Sequence, residues 1–174
     1  SRINNFSNGT CKLHTIGNNF NECLDHALHF SEKNKKKFIH PYDDYHTIEG
    51  QGTIASEIYD VIDPDIIIGG IGGGGLMSGI GTFVKNININ TYIEENILLN
   101  NTTFNNKCLV IGAEPSSCPS MKKSLESKSL LTVPIKDTFV DGATVSQVGI
   151  KTFNICSRVI DDIYISDIGK ICES

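Results

Sequence analysis

The chain has 174 residues, 39% hydrophobic and 20% charged, which is room for one domain with a real core and little room for two. A net charge of -5 and a pI near 5.5 exclude a binder of the nucleic-acid backbone, whose affinity needs clustered Lys and Arg. No run reaches the roughly 18 to 20 apolar residues of a bilayer crossing, and the N-terminal stretch lacks a basic-then-apolar signal layout, so no membrane partner is expected either.

In chain order, Phe20, Cys23, Leu24, Ala27 and Leu28 recur at helical spacing, and Lys33, Lys35, Lys36 and Lys37 end the pattern where cations complement a helix dipole. A short strand-like Phe38 and Ile39 follows. The next stretch, HPYDDYHTIEGQG, reads as turn because of its Pro, Asp and Gly content, with a helix beginning at Thr53 and Ile54 and carrying Ile58 and Ile62. Pro64 and Asp65 stop it. Ile66, Ile67 and Ile68 predict a central parallel strand buried on both faces.

After a glycine run, Leu76, Ile80, Phe83 and Val84 predict a helix, and residues 108–111 predict a second buried strand. Residues 86–107 between them are too long and asparagine-rich for an ordinary helix-to-strand connection, and read as a surface insertion. Met121 and Leu125 mark a short helix, Phe153, Cys156, Val159 and Ile160 a longer one, and residues 163–165 a last strand. Residues 166–172 resemble the opening turns of a helix. This alternation predicts an α/β fold with a mostly parallel sheet and crossover helices.

The six cysteines are widely spaced with no CxxC pair, which predicts reduced thiols in an intracellular, soluble protein of the cytoplasm or an organelle matrix. The five histidines form neither a triad nor a metal-ligand spacing. The sequons at Asn8 and Asn101 are what chance supplies in so asparagine-rich a chain.

The informative segment is IIIGGIGGGGLMSGIG, in which a strand runs into Gly72, Gly73, Gly74 and Gly75 and then directly into a helix. Consecutive glycines sacrifice backbone entropy, so something must require them. Either they permit tight helix-on-strand packing, or they let amides and a helix N-terminus converge on an anion, for which a phosphate is the natural guest. Gly70, Gly72 and Gly75 also fit a dinucleotide fingerprint, but its acidic residue is expected about 20 residues on, whereas Glu114 lies much farther away. Leu76 and Met77 stand where a Walker-type loop needs Lys and Ser or Thr, which excludes nucleotide hydrolysis by such a loop.

Six motifs in order, GNNF (residues 17–20), FIHPYDD (38–44), EGQGTIASEI (49–58), IGGGGLMSGI (71–80), IGAEP (111–115) and TFVDGATV (138–145), resemble the fold-type II pyridoxal-phosphate enzymes. The similarity is to the branch of threonine dehydratase and serine racemase, and the C-terminal stretch looks more like biosynthetic threonine dehydratases. The resemblance implies the large-domain architecture of that family, an incomplete three-layer sandwich. It also implies a pyridoxal 5'-phosphate cofactor, an amino-acid substrate and, for the complete protein, a homo-oligomer. Carried over by position, Gly72, Gly73, Gly74, Gly75 and the backbone of Leu76 would cradle the cofactor phosphate, and Gly142 would line the cofactor's other side. Glu114, Cys118 and Ser120 fall where serine racemase relatives bind a divalent cation. Ser120 replaces the aspartate of that site, so no metal is assigned.

The family's Schiff-base lysine motif, its Ser-x-Gly-Asn-His loop and its ring-nitrogen motif do not occur in residues 1–174. The expectation is therefore a partial cofactor-binding domain, inactive alone, with no catalytic residue of its own. The competing expectations are serine racemase and a catalytically dead cofactor-holding remnant.

Overall fold

The computed structural model describes residues 12–17, 20–95 and 108–173. The chain forms two compact units, residues 1–39 and residues 40–174. The first carries helix α1 (Phe20–Lys33). It ends as a lysine-rich turn: Lys35 takes a left-handed φ of 50°, and the Lys36 amide donates back to the Ser31 carbonyl at 2.9 Å, satisfying an orphan helix carbonyl. Phe38 and Ile39 are irregular backbone, not the short strand their apolar character suggests.

The second unit runs α2 (Tyr45–Tyr59), β1 (Ile66–Gly70), α3 (Gly75–Glu95), β2 (Leu109–Pro115), α4 (Ser120–Ser127), a 3-10 turn (Asp141–Ala143), α5 (Ile150–Val159), β3 (Asp162–Ser166) and α6 (Ile168–Glu173). The three strands form one parallel sheet in the order β1-β2-β3, with Gly69 opposite Gly112 and Gly112 opposite Ile163. The α/β architecture with a parallel sheet is thus the observed one.

Three expectations are corrected. Helix α2 begins inside the stretch read as turn, because the Asp44 side chain caps it by accepting from the His46 and Thr47 amides, while Ile62 falls beyond its end. Gly52 is tolerated because the helix packs backbone to backbone on α3: a Cβ on Gly52 would lie 3.3 Å from the Gly79 carbonyl oxygen, and one on Gly79 only 2.4 Å from that of Ile48. Strand β1 is an edge of the described sheet, and β2 is its centre. Nor is β1 buried on both faces, since Ile66 and Ile68 are 52% and 68% exposed while Ile67 faces the core. Finally, α3 continues to Glu95, so the asparagine-rich stretch starts as helix; residues 96–107 of it lie outside the described residues.

The core lies on one face of the sheet, where Ile67, Val110 and Ile163 meet Ala55 from α2, Met77, Ile80 and Val84 from α3 and Cys156 from α5. Each fully buried large apolar side chain contributes about 1.5–3 kcal/mol. Gly69 and Gly112 let two core side chains sit directly on the sheet, Met77 over the first and Ile71 over the second. At the far end, Asp161 ties β2 to α3 by accepting from the Val110 amide and from Lys85 Nζ, both at 2.8 Å. Among the described residues the cysteines at 23, 108, 118, 156 and 172 are free.

Candidate functional site

The glycine run sits at the C-terminal end of β1, where the chain leaves the sheet and turns into α3. The Ile71 amide is the last to pair with the sheet, donating to the Ala113 carbonyl at 2.8 Å. Among the described residues no protein acceptor meets the amides of Gly72, Gly73, Gly74, Gly75 or Leu76. Gly73, Gly74 and Gly75 are nevertheless buried, and Gly72 and Leu76 half-buried. Buried N–H groups without acceptors are rare and costly, about 1–3 kcal/mol each. Here they accumulate at the positive end of a 21-residue helix.

Gly74 has φ +94°, a conformation that side-chain-bearing residues rarely adopt. A Cβ on Gly72 would lie 2.5 Å from the Gly142 carbonyl oxygen, so the structure brings Gly142 directly against the loop from 70 positions down the chain. Gly142 itself is exposed and has nothing within 4 Å of where a Cβ would stand. One wall of the site is packed backbone and the facing position is open.

Tyr42 lies against the loop from the other direction. Its ring atoms stand within 2.3–2.4 Å of an imagined Cβ on Gly73, and its own Cβ is 2.9 Å from one on Gly75. Packing therefore also requires glycine at these two positions. Burial, assisted by the negative charge of Asp43, pushes the Tyr42 phenol above its ordinary range. The turn carrying Tyr42 is held by His40, whose Nδ1 accepts from the Asp43 amide at 2.9 Å and the Tyr42 amide at 3.3 Å. Burial lowers the His40 pKa, more than the attraction of Asp43 raises it, which suits a ring used as an acceptor.

Two side chains connect this turn and the glycine loop to α5. Asp43 accepts from the amides of Ile150, Lys151 and Thr152 at 3.2, 2.8 and 3.1 Å, in place of a cap that Gly149 cannot supply. Thr152 donates its hydroxyl to the Gly73 carbonyl at 2.7 Å. Neither residue, nor Tyr42, was assigned a role from sequence. FIHPYDD pointed to the turn only as a block, and Thr152 carries no sequence signal.

Glu114, at the end of β2, is 2% exposed and caps α4: its two carboxylate oxygens accept from the Met121 and Lys122 amides, each at 2.8 Å. Burial raises its pKa, and the two amides oppose that rise only in part. With both oxygens committed, Glu114 serves as a cap, and its neighbours Cys118 and Ser120 bring no second carboxylate. Among the described residues no three His, Cys, Asp or Glu side chains group as metal ligands. A groove of about 610 Å3 lined by Lys122, Lys128, Ser157 and Asp161 includes no residue of the glycine loop, and the first unit has a groove of its own, about 370 Å3, beside α1. No helix among the described residues is long and apolar enough to cross a membrane.

The site offers amides with no protein acceptor among the described residues, a helix N-terminus and backbone without side chains, which fits the anionic tail of a phosphorylated cofactor. Comparison with known proteins points the same way. The biosynthetic L-threonine dehydratase of Halalkalibacterium halodurans is 38% identical over 158 residues, covering 90% of this chain and 34% of that protein. Its counterpart in Bacillus subtilis is 34% identical, covering 100% and 38%. This chain thus spans little more than a third of the length of these curated relatives. Among solved structures, the processed form of threonine deaminase isoform 2 from Solanum lycopersicum superposes with a TM-score of 0.73 at 35% identity, covering 87% of this chain and 40% of that one. Serine racemase from maize gives a TM-score of 0.73 at 26% identity, covering 88% and 43%. The family model described as pyridoxal-phosphate dependent enzyme matches residues 7–173, and the chain belongs to that family.

Proposed function

We propose that the protein carrying this chain is a threonine ammonia-lyase that converts L-threonine, and L-serine, to 2-oxobutanoate or pyruvate plus ammonia, feeding isoleucine biosynthesis. The observation that carries this reading is the row of amides from Gly72 to Leu76, at the start of α3, that meet no protein acceptor among the described residues, in a chain 38% identical to a biosynthetic threonine dehydratase. When bound, pyridoxal phosphate supplies the electron sink that makes an amino acid's α-proton labile.

The placement of this chain's residues supports the following roles. The amides of Gly72, Gly73, Gly74, Gly75 and Leu76 hold the phosphate, and the α3 N-terminus favours its negative charge. Gly142 would leave open space beside the cofactor's body, and Tyr42 packs against the loop at Gly73 and Gly75. Proton transfer is assigned to none of these residues. The family resemblance places the cofactor's lysine outside residues 1–174, so this stretch alone is an inactive phosphate-binding part. The complete protein assembles as a homo-oligomer.

The test is to express the full coding sequence, measure 2-oxobutanoate release from L-threonine and D-serine formation from L-serine, and size the product by light scattering. Release of 2-oxobutanoate with the visible absorbance of a lysine-bound cofactor supports the reading. D-serine as the main product assigns a racemase, and a protein that never acquires the absorbance removes the enzyme assignment.

A further inference from the structure

Thr152 is fully buried, 0% exposed, in the first turn of α5. A threonine there ordinarily donates to its own helix's upstream carbonyl, and Gly149 oxygen is available at 3.1 Å. The hydroxyl has one proton to give. Its shorter contact, 2.7 Å, is to the Gly73 carbonyl, 79 residues away in sequence. Among the described residues there is no cis peptide, so in the peptide joining Gly73 to Gly74 the C=O and N–H point in opposite directions. Holding the Gly73 carbonyl toward α5 therefore turns the Gly74 amide away from α5. Glycine on both sides of that peptide, one with φ +94°, supplies no side chain to fix its plane, and the Gly149 amide reaches the same carbonyl only at 3.5 Å.

A second observation removes the competing anion site. Two helix N-termini converge here, those of α3 and α5. The α5 amides of Ile150, Lys151 and Thr152 are already taken by the Asp43 carboxylate. A Cβ on Gly149 would lie 2.2 Å from Asp43 Oδ1, so that end of the helix is closed. Among the described residues, only the α3 end of the two keeps amides without a protein acceptor.

We infer that Thr152 is the positioning residue of the phosphate cradle: its hydroxyl sets the plane of the Gly73–Gly74 peptide, so that the Gly74 amide is presented to the anion. The inference rests on the phosphate reading of the loop. It is tested on the full-length protein by comparing the affinities for pyridoxal phosphate and for pyridoxal, which lacks the phosphate, and by recording the phosphorus resonance of the bound cofactor.

Thr152→Val keeps the side chain's shape and removes the hydroxyl. It is expected to weaken pyridoxal phosphate about ten- to a hundredfold, as the loss of one buried hydrogen bond allows, and to leave pyridoxal within about twofold. Thr152→Ser restores both affinities and the wild-type phosphorus resonance. Thr152→Cys, a weak donor of similar size, falls between and carries the test if the valine variant does not fold. Equal losses for the two ligands, or a hydroxyl-free variant with wild-type affinity and resonance, overturn the role of Thr152 alone. A wild-type protein that binds pyridoxal as tightly as pyridoxal phosphate overturns the phosphate reading and this inference with it.

Discussion

The glycine loop is held in place by the crossing of α2 on α3, and paired glycine-to-alanine substitutions test that crossing. Gly50 and Gly79 are both interior helix residues, where replacing glycine by alanine is intrinsically worth about 0.5–1 kcal/mol in favour of the helix. At Gly50 a new methyl would meet nothing within 4 Å, so Gly50→Ala should stabilise by most of that amount. At Gly79 the methyl would stand 2.4 Å from the Ile48 carbonyl oxygen, 2.6 Å from the Gly52 nitrogen and 2.8 Å from Gln51 Cβ. The first two are backbone atoms of a facing helix and cannot rotate aside. Helix α2 would have to move off α3, and overpacking of this kind costs about 1–3 kcal/mol, more than propensity returns. The two variants should therefore shift the thermal midpoint of the full-length protein in opposite directions, up for Gly50→Ala and down for Gly79→Ala. Urea unfolding followed by circular dichroism gives an independent measure. If Gly79→Ala melts at or above the wild-type temperature, the two helices are not in backbone contact and the account of how α3 is positioned is wrong.

Gly142→Val adds bulk where the structure leaves open space. It should leave the melting of the cofactor-free protein within about 0.5 kcal/mol of wild type while weakening pyridoxal phosphate binding, and unchanged affinity would remove Gly142 from the site. Burial raises the Glu114 pKa above its ordinary value, so the native state takes up its proton more readily than the unfolded chain. Relative to Glu114→Gln, wild-type stability should be greatest below the ordinary carboxylate pKa of 4.5 and fall as pH rises through the raised native value; the opposite slope would refute it. In the thiol pattern, Cys23 and Cys172 are exposed, whereas Cys108, Cys118 and Cys156 are buried, with Cys156 pushed up to about 12 mainly by burial. Maleimide labelling of the native protein followed by mass spectrometry should modify Cys23 and Cys172 and spare the other three until denaturant is added.

Legibility in the sequence followed the range of the forces involved. The strand at Ile66, Ile67 and Ile68 and the helix after the glycines were readable because β-branched runs and helical periodicity are local signals. The start of α2 was not. Gly52 looks like a breaker until the facing Gly79 is known, and that contact lies 27 positions beyond it. The edge placement of β1 was equally invisible, since an apolar strand reads the same whether one face or two are covered. At the site, residues 72–75 announced themselves because a glycine run is expensive in backbone entropy. Asp43 and Thr152 did not, because their work is a hydrogen bond to another element, 107 to 109 residues distant for Asp43 and 79 for Thr152.

Two explanations compete for the glycine run, and the structure assigns them to different atoms. Packing accounts for the missing side chains: Gly72 backs onto Gly142, and Gly73 and Gly75 lie under Tyr42. It does not account for the amides. A loop selected only for close approach would be expected to pair its buried N–H groups with nearby carbonyls, as Ile71 does with Ala113. Instead the Gly73 carbonyl is drawn to Thr152, the Gly74 carbonyl accepts from Ser78 one turn into α3, and the amides between them have no protein partner among the described residues. The carbonyls of Gly73 and Gly74 are used within the fold, while the amides from Gly72 to Leu76 meet no protein acceptor among the described residues. That asymmetry is what an anion requires, and packing alone gives no reason for it.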